Sequence, residues 1–331
     1  MTTKFPALVA TKADAEQQSN FQELSFDDLD EGDVTVAIEY STLNYKDGLA
    51  ISGAAPIVQR FPLVLGIDFA GKVIASEHSD FDVGDLVVLN GFGASERLNG
   101  GYASYARLSG DLLVKLPSEI DSKAAMAIGT AGYTAMLCVL ALEDAGVQPD
   151  SGPILVTGAA GGVGTVAISV LAKLGYRVEA STGRVSEEGF LKSLGAQTVH
   201  ARDPLSAAGK PLQREVWAGV VDCVGSHTLA NTLAQTCYGG AVAACGLAQG
   251  ADLPATVMPF ILRGVSLLGI DSVQAPIERR KQAWERLATD MDPTTLDALS
   301  FALEFEQLPA AAQEILAGTI RGRAIVEIPT A

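Results

Sequence analysis

The chain is short of cysteine, histidine, aromatic residues and positive charge, and each shortage removes a class of function. Its 331 residues include 4 cysteines, 3 histidines and 6% aromatics. Cys138, Cys223, Cys237 and Cys245 make no C-x-x-C pair and no regular framework, so they read as reduced, mostly buried thiols of a cytosolic protein. No cysteine precedes position 138, and His78, His200 and His227 are scattered, so no tetrahedral metal site can be assembled from sequence-local ligands. Each histidine reads as a surface or packing residue. Lys and Arg total 23 against 39 Asp and Glu, a formal net charge of −16. That balance argues against nucleic acid and membrane surfaces as partners, but not against an anionic ligand in a locally basic cleft. The sequence reading finds no apolar run of the ~20 residues a membrane span needs and no charged-then-apolar signal segment, so cytoplasm is the expected compartment. A strict G-x-G-x-x-G is absent, as are internal repeats and low-complexity tracts.

What is present is a βαβ unit seen almost whole between Pro153 and Arg184. Ile154, Leu155 and Val156 suit a strand buried on both faces. Gly158, Gly161, Gly162 and Gly164 then remove side chains where a backbone turns sharply and approaches a pyrophosphate. A helix over Thr165 to Leu174 directs its free N–H groups and positive dipole end at those phosphates, Gly175 stops it, and Tyr176 to Ala180 is the second strand. Arg184 stands where, roughly 20 residues beyond the glycines, an acidic residue would bind the ribose 2′-OH of NAD. With Thr182 and the backbone of Gly183 it reads as a cradle for the 2′-phosphate of NADP(H). Glu179 is the counter-argument, unless it points down the strand away from the ribose.

Residues 1 to 120 read as β-rich, with strands over Val34 to Tyr40, within Leu63 to Val73 and over Asp85 to Leu89, separated by turn chemistry. Asp121 to Ala145 turns helical, as two helices joined near Gly129, which puts the domain boundary near residue 122. Strand and helix then alternate: Glu188 to Leu194 helix, Thr198 to His200 strand, Gly219 to Val224 strand, Thr228 to Gln235 helix, Ala241 to Cys245 strand, Ser266 to Ile270 strand. Such alternation predicts an α/β fold, a parallel sheet with ligand at the carboxyl ends of its strands. Pro276 to Asp290 is an amphipathic helix, and Gly322 to Ile328 a final strand able to return to the β module.

The segments STLNYKD (41 to 47), PLVLGIDFAG (62 to 71) and VGD (83 to 85), with the glycines 158 to 164, resemble the medium-chain dehydrogenase/reductase superfamily, in its zinc-free quinone oxidoreductase branch. LNYKD, GIDFAG, IGTAGYTAMLCVLALEDAG, DCVG and TVMPFILRGVSLLGIDSV resemble in particular the bacterial acrylyl-CoA reductase (NADPH) group. The resemblance implies a GroES-like catalytic domain, residues 1–122 completed by 273–331, a Rossmann NADP-binding domain, 123–272, and a substrate cleft between them. It also implies no zinc, because Ile67 stands where zinc-containing cousins have histidine.

The reaction so implied is NADPH-dependent reduction of acrylyl-CoA to propanoyl-CoA, hydride adding at Cβ and a proton at Cα, with donors aimed at an enolate oxygen. Tyr45 is the candidate catalytic donor, with Asn44 and Asp47 in support, although Asp47 might instead pair with Lys46 or Lys72. Cofactor contacts fall by position on Tyr45, Ala160, Gly161, Gly162, Val163, Thr182, Gly183, Arg184, Arg202, Leu247, Ile261 and Ser272. Arg263, Arg279, Arg280 and Lys281 are either a coenzyme A handle or a solvated face. Alternatives are a quinone or general enone reductase, and an NADPH-binding sensor or structural protein without turnover. The apolar Asp252 to Leu268 with its edge-like strand predicts a homodimer.

Overall fold

The computed structural model describes residues 3–14 and 16–331. It divides into two units: residues up to Thr130 with Ser272–Ala288 and Leu296–Ala331, and Ala131–Asp271 with Thr289–Thr295.

The first unit is built from antiparallel strands. β1 (Lys4–Ala13) and β2 (Glu16–Ser25) pair from Lys4 opposite Ser25 to Ala13 opposite Glu16. β3 (Val34–Leu43) is central, with Val34, Val36 and Leu43 buried, and leads through Asn44 into α1 (Tyr45–Ser52). The expected strand within Leu63 to Val73 is two: β4 (Leu63–Val64), on β1, and β5 (Asp68–Ser76), on β3. Gly66 breaks it at φ +97°, where a Cβ would lie 2.9 Å from the amides of Gly101 and Tyr102. β6 (Leu86–Asn90), β7 (Tyr105–Leu108) and β8 (Val114–Lys115) pair with β5, β3 and β6.

α2 (Ser122–Asp144) is interrupted where expected, at Gly129 (φ +52°), because a Cβ there would sit 2.3 Å from Nη2 of Arg323. The division between units falls just after this kink, later than residue 122, since the first turns of α2 are tied to the first unit by the Thr130 amide on Asp68. One correction concerns membranes. α2 is long and apolar enough to cross one, with mean hydropathy 1.8, but 89% of that stretch is buried within the protein, as in a core helix.

The second unit is the expected parallel sheet. β9 (Ile154–Thr157) is followed by α3 (Gly162–Lys173), β10 (Val178–Thr182), α4 (Glu188–Ser193), β11 (Ala196–Ala201), the single turn α5 (Asp203–Ser206), β12 (Trp217–Asp222), α6 (Ser226–Gln235), β13 (Thr236–Ala244), α7 (Met258–Arg263) and β14 (Ser266–Gly269). The spatial order is β11-β10-β9-β12-β13-β14, every pair parallel, which places the switch between β9 and β12. β10 starts two positions past Tyr176 because Gly175 (φ +86°) and the Tyr176 amide, on the Leu171 carbonyl, still belong to the helix cap. Leu155, Val220, Leu233 and Val242 fill the core.

The chain then continues through α8 (Ile277–Asp290), α9 (Pro293–Leu299), β15 (Ser300–Leu303) and α10 (Leu308–Leu316) to β16 (Arg323–Glu327). β16 lies antiparallel on β3, so the tail returns to the β module as the sequence suggested. Within the basic run on α8, Arg280 is not available to a phosphate: it is buried, donates to the carbonyls of Ala275, Asn90, Ser272 and Val273, and stacks 3.7 Å from the Phe92 ring centre. Lys281 pairs with Glu278, and Arg263 with Glu215 and three backbone carbonyls.

Candidate active site

On the second unit the site is made of backbone. Gly161 caps α3 with no side-chain cap, so the first-turn amides of Gly162, Val163 and Gly164 have no helical acceptor and face outward with the dipole. Gly164 lets the helix close on the turn, for a Cβ there would lie 2.6 Å from the Gly158 carbonyl oxygen. Ala160 is buried and Val163 half-buried beside these amides. This is the arrangement that receives a pyrophosphate.

At the tip of β10, Thr182, Gly183, Arg184 and Arg202 converge. The Arg184 amide donates to Thr182 Oγ1 at 3.0 Å, and its guanidinium reaches back to the Ala160 carbonyl at 3.2 Å. Arg202 follows β11, its amide on the Thr182 carbonyl, and its guanidinium lies 3.0–3.3 Å from where a Gly183 Cβ would be. Among the described residues Arg202 has no ion-pair partner. Glu179 turns away from this tip, accepting from Trp217 Nε1 at 3.1 Å and meeting His200 Nε2 at 2.8 Å. Two guanidinium groups and a hydroxyl therefore stand where a carboxylate is missing.

Asp222 ends β12 and was not anticipated. It accepts from Thr157 Oγ1 at 2.7 Å and from the Gly225 amide at 2.8 Å, and burial pushes its carboxyl above the ordinary carboxylate range despite these donors. A lone acidic residue inside the apolar strand AGVVDCV was the available signal. Leu247, beyond β13, and Ile261, on α7, are exposed. Ser272, half-buried, falls in the first unit, where its carbonyl accepts from Arg280.

On the first unit the site is made of side chains. Tyr45, the first residue of α1, is 50% exposed, whereas Asn44 and Asp47 beneath it are buried. Asp47 accepts from the amides of Asn44 (2.8 Å) and Ile67 (2.9 Å). Asn44 Nδ2 lies within 2.8–3.1 Å of Thr42, Asp47 and Asp68. Asp68 also takes Thr42 Oγ1 and the Thr130 amide. Arg323, from the far end of the chain, donates to Asn44 Oδ1 at 3.2 Å and to the Ala127 carbonyl, and its Nη2 is buried with no acceptor. Tyr102 caps the cluster through the Thr42 carbonyl at 2.8 Å.

Burial, then the charge of Asp68, pushes the Asp47 carboxyl up to about 7. Asp47 does not pair with lysine: Lys46 bonds Glu96, and Lys72 bonds Glu39 at 2.9 Å. The Asp47 carboxylate is fully buried, and what it touches is Asn44 and the Ile67 amide. Asp68, Thr42, Tyr102 and Arg323 were missed; the acidic residue inside GIDFAG was the one visible hint. The donor set does not suit zinc, since Ile67 offers no donor, the Asp68 carboxylate already accepts from three donors and the cluster encloses its own cation, Arg323.

Two domain models match the chain, "Alcohol dehydrogenase GroES-like domain" over residues 30–118 and "Zinc-binding dehydrogenase" over residues 162–289. The acrylyl-CoA reductase AcuI of Ruegeria pomeroyi is 50% identical over 327 residues, 98% of this chain and 99% of that protein. The yhdH oxidoreductase of Salmonella enterica, solved in complex with NADP, superposes with a TM-score of 0.96 at 49% identity, covering 98% of this chain and 100% of that one. The Bacillus subtilis protein yhfP, solved with NAD bound, gives a TM-score of 0.95 at 44% identity over 99% and 100%.

Proposed function

The chain belongs to the medium-chain dehydrogenase/reductase superfamily, and from that premise we propose that it reduces the carbon–carbon double bond of acrylyl-CoA to propanoyl-CoA with NADPH. The observation that carries this reading is the end-to-end likeness, at 50% identity, to a relative named for that reaction.

The nucleotide half fits the cofactor. The amides of Gly162 and Val163 would hold the pyrophosphate over Ala160 and Gly161, while Thr182, the Gly183 backbone, Arg184 and Arg202 would hold the 2′-phosphate. Charge-assisted donors of this kind are the strong ones. When bound, NADPH supplies the hydride that adds at Cβ of the conjugated thioester. Tyr45, exposed at the start of α1 beside the buried cluster, is assigned to the developing enolate oxygen or to the proton delivered at Cα. Asn44 and Asp47 position it by fixing the first turn of α1. No metal takes part in this proposal.

A B. subtilis relative holding NAD keeps the cofactor choice open to direct test. The assay is NADPH oxidation with acrylyl-CoA, with NADH and a simple quinone in parallel. Turnover confined to NADPH and acrylyl-CoA supports the proposal; preference for NADH removes the Arg184 reading, and preference for the quinone moves the chain to a general enone or quinone reductase. Tight NADPH binding with no turnover on any activated alkene marks a sensor. We further place the protein in the cytoplasm as a homodimer. β14 edges its sheet, and Tyr238, Val257, Ile261 and Leu262 are exposed on the same unit, so light scattering should give twice the 34.3 kDa chain mass.

A further inference from the structure

The four cysteines looked unrelated in sequence, yet two of them are neighbours at the ligand end of the parallel sheet. β12 and β13 run in register with Asp222 opposite Ala244, so the next residues, Cys223 and Cys245, face each other, and their Sγ atoms are 3.8 Å apart. Adjacent strands lie about 4.8 Å apart, within the Cα separation that a disulfide spans. Neither residue is sealed, both being half-buried, whereas Cys138 on α2 is fully buried. Cys223 also backs directly on the phosphate turn: a Cβ at Gly158 would lie 3.1 Å from the Cys223 Cβ. The preceding Asp222 holds Thr157 and the Val224 and Gly225 amides. The Cys223 amide also donates to Thr157 Oγ1 at 3.1 Å, so the segment that carries Cys223 is tied to the strand end from which the turn departs.

We propose that Cys223 and Cys245 form an oxidisable dithiol, which hydrogen peroxide converts to an intramolecular disulfide that distorts the phosphate turn and weakens dinucleotide binding. Cys245 is the attacking sulfur. Its S–H faces the Asp222 carbonyl at 3.4 Å, and its sulfur neighbours Cys138 and Cys223 lower its thiol well below the ordinary range. Its sulfur takes one peroxide oxygen as the O–O bond breaks, giving a sulfenic acid, and the hydroxide released gains a proton to leave as water. The Cys223 sulfur then attacks the sulfenic sulfur, the S–O bond breaks, and that hydroxide leaves with the Cys223 proton as a second water. The two sulfurs lose two electrons, and peroxide is reduced to two waters. A small-molecule dithiol reverses the step by thiol–disulfide exchange. The binding consequence rests on the nucleotide site proposed above; the chemistry of the thiols does not.

The test treats the reduced full-length protein with hydrogen peroxide, alkylates the remaining thiols, and reads intact mass, non-reducing peptide maps and NADPH affinity by fluorescence titration. The expected result is loss of two hydrogens, a linked Cys223–Cys245 peptide pair, and an NADPH Kd raised roughly tenfold or more that recovers with dithiothreitol. Saturating NADPH should slow the bridge, and Cys245→Ser should bind NADPH normally and resist peroxide. The proposal is overturned by oxidation that stops at sulfinic acid, by a bridge using Cys138 or Cys237, or by a Cys223–Cys245 bridge that leaves affinity unchanged. If the reduced protein binds no dinucleotide, the function above fails while the peptide map still decides the dithiol.

Discussion

The phosphate turn of the second unit and the acidic cluster of the first do comparable work with opposite materials. The turn presents amides, and its side chains matter chiefly by being absent: Gly158, Gly161 and Gly164 leave room that a single carbon would fill. The cluster presents two carboxylates, an amide, a hydroxyl and a guanidinium gathered from residues 42, 44, 47, 68 and 323, and each matters by being there. A backbone site is local, because consecutive amides and one helix make it. A side-chain site is remote, because buried charges need partners wherever the fold can bring them.

Removing and adding atoms should separate the two. The largest effect is expected from Asp68→Ala, which strands the Thr42 hydroxyl, Asn44 Nδ2 and the Thr130 amide and removes a negative charge that offsets the buried Arg323. A loss of about 3–5 kcal/mol in denaturant unfolding is expected, and a loss below about 1 kcal/mol would mean that water replaces the carboxylate. Tyr45→Phe deletes the hydroxyl proposed as the donor and should lower kcat about 10²–10³-fold, with NADPH Kd unchanged. Equal loss in binding would make Tyr45 a cofactor contact only. Arg184→Ala should cost about 1.5–3 kcal/mol of NADPH affinity by calorimetry and leave NADH affinity unaltered, which a parallel loss for NADH would contradict.

On the backbone side, Gly164→Ala adds one methyl 2.6 Å from the Gly158 carbonyl oxygen and should cost about 1–3 kcal/mol in stability, with weaker binding of both dinucleotides. The smallest signal is electrostatic. Because the Asp47 carboxyl is raised to about 7, its contribution is fully present below the ordinary carboxylate range of about 4 and is lost as pH rises through 7. Thermal melts from pH 5 to 8 should therefore show this decline in the parent protein, and Asp47→Asn should flatten it. An unchanged slope would assign the decline elsewhere.

Legibility in the sequence follows the same division. The βαβ unit, the kink at Gly129 and the returning tail strand could be read because each is a local pattern of glycine, apolar run and cap. Arg184 was picked out by its distance from the glycines, and Arg202 only by position; the structure brings both to the tip of β10. Asp68 and Arg323 could not be assigned to one cluster, since 255 positions separate them and neither has a local motif. The orientation of Glu179, decisive for the ribose reading, was undetermined until Trp217 and His200 were seen to hold it.

By itself, then, the sequence determined the two kinds of domain, the parallel sheet and the dinucleotide turn, because backbone geometry is dictated over a few residues at a time. The tertiary structure alone decided that Asp47 is buried with a raised carboxyl, that Arg323 is the cation of the acidic cluster, and that Cys223 meets Cys245. Each of those depends on which side chains share a dry interior, where charge and thiol chemistry answer to distance and to exclusion of water rather than to order along the chain.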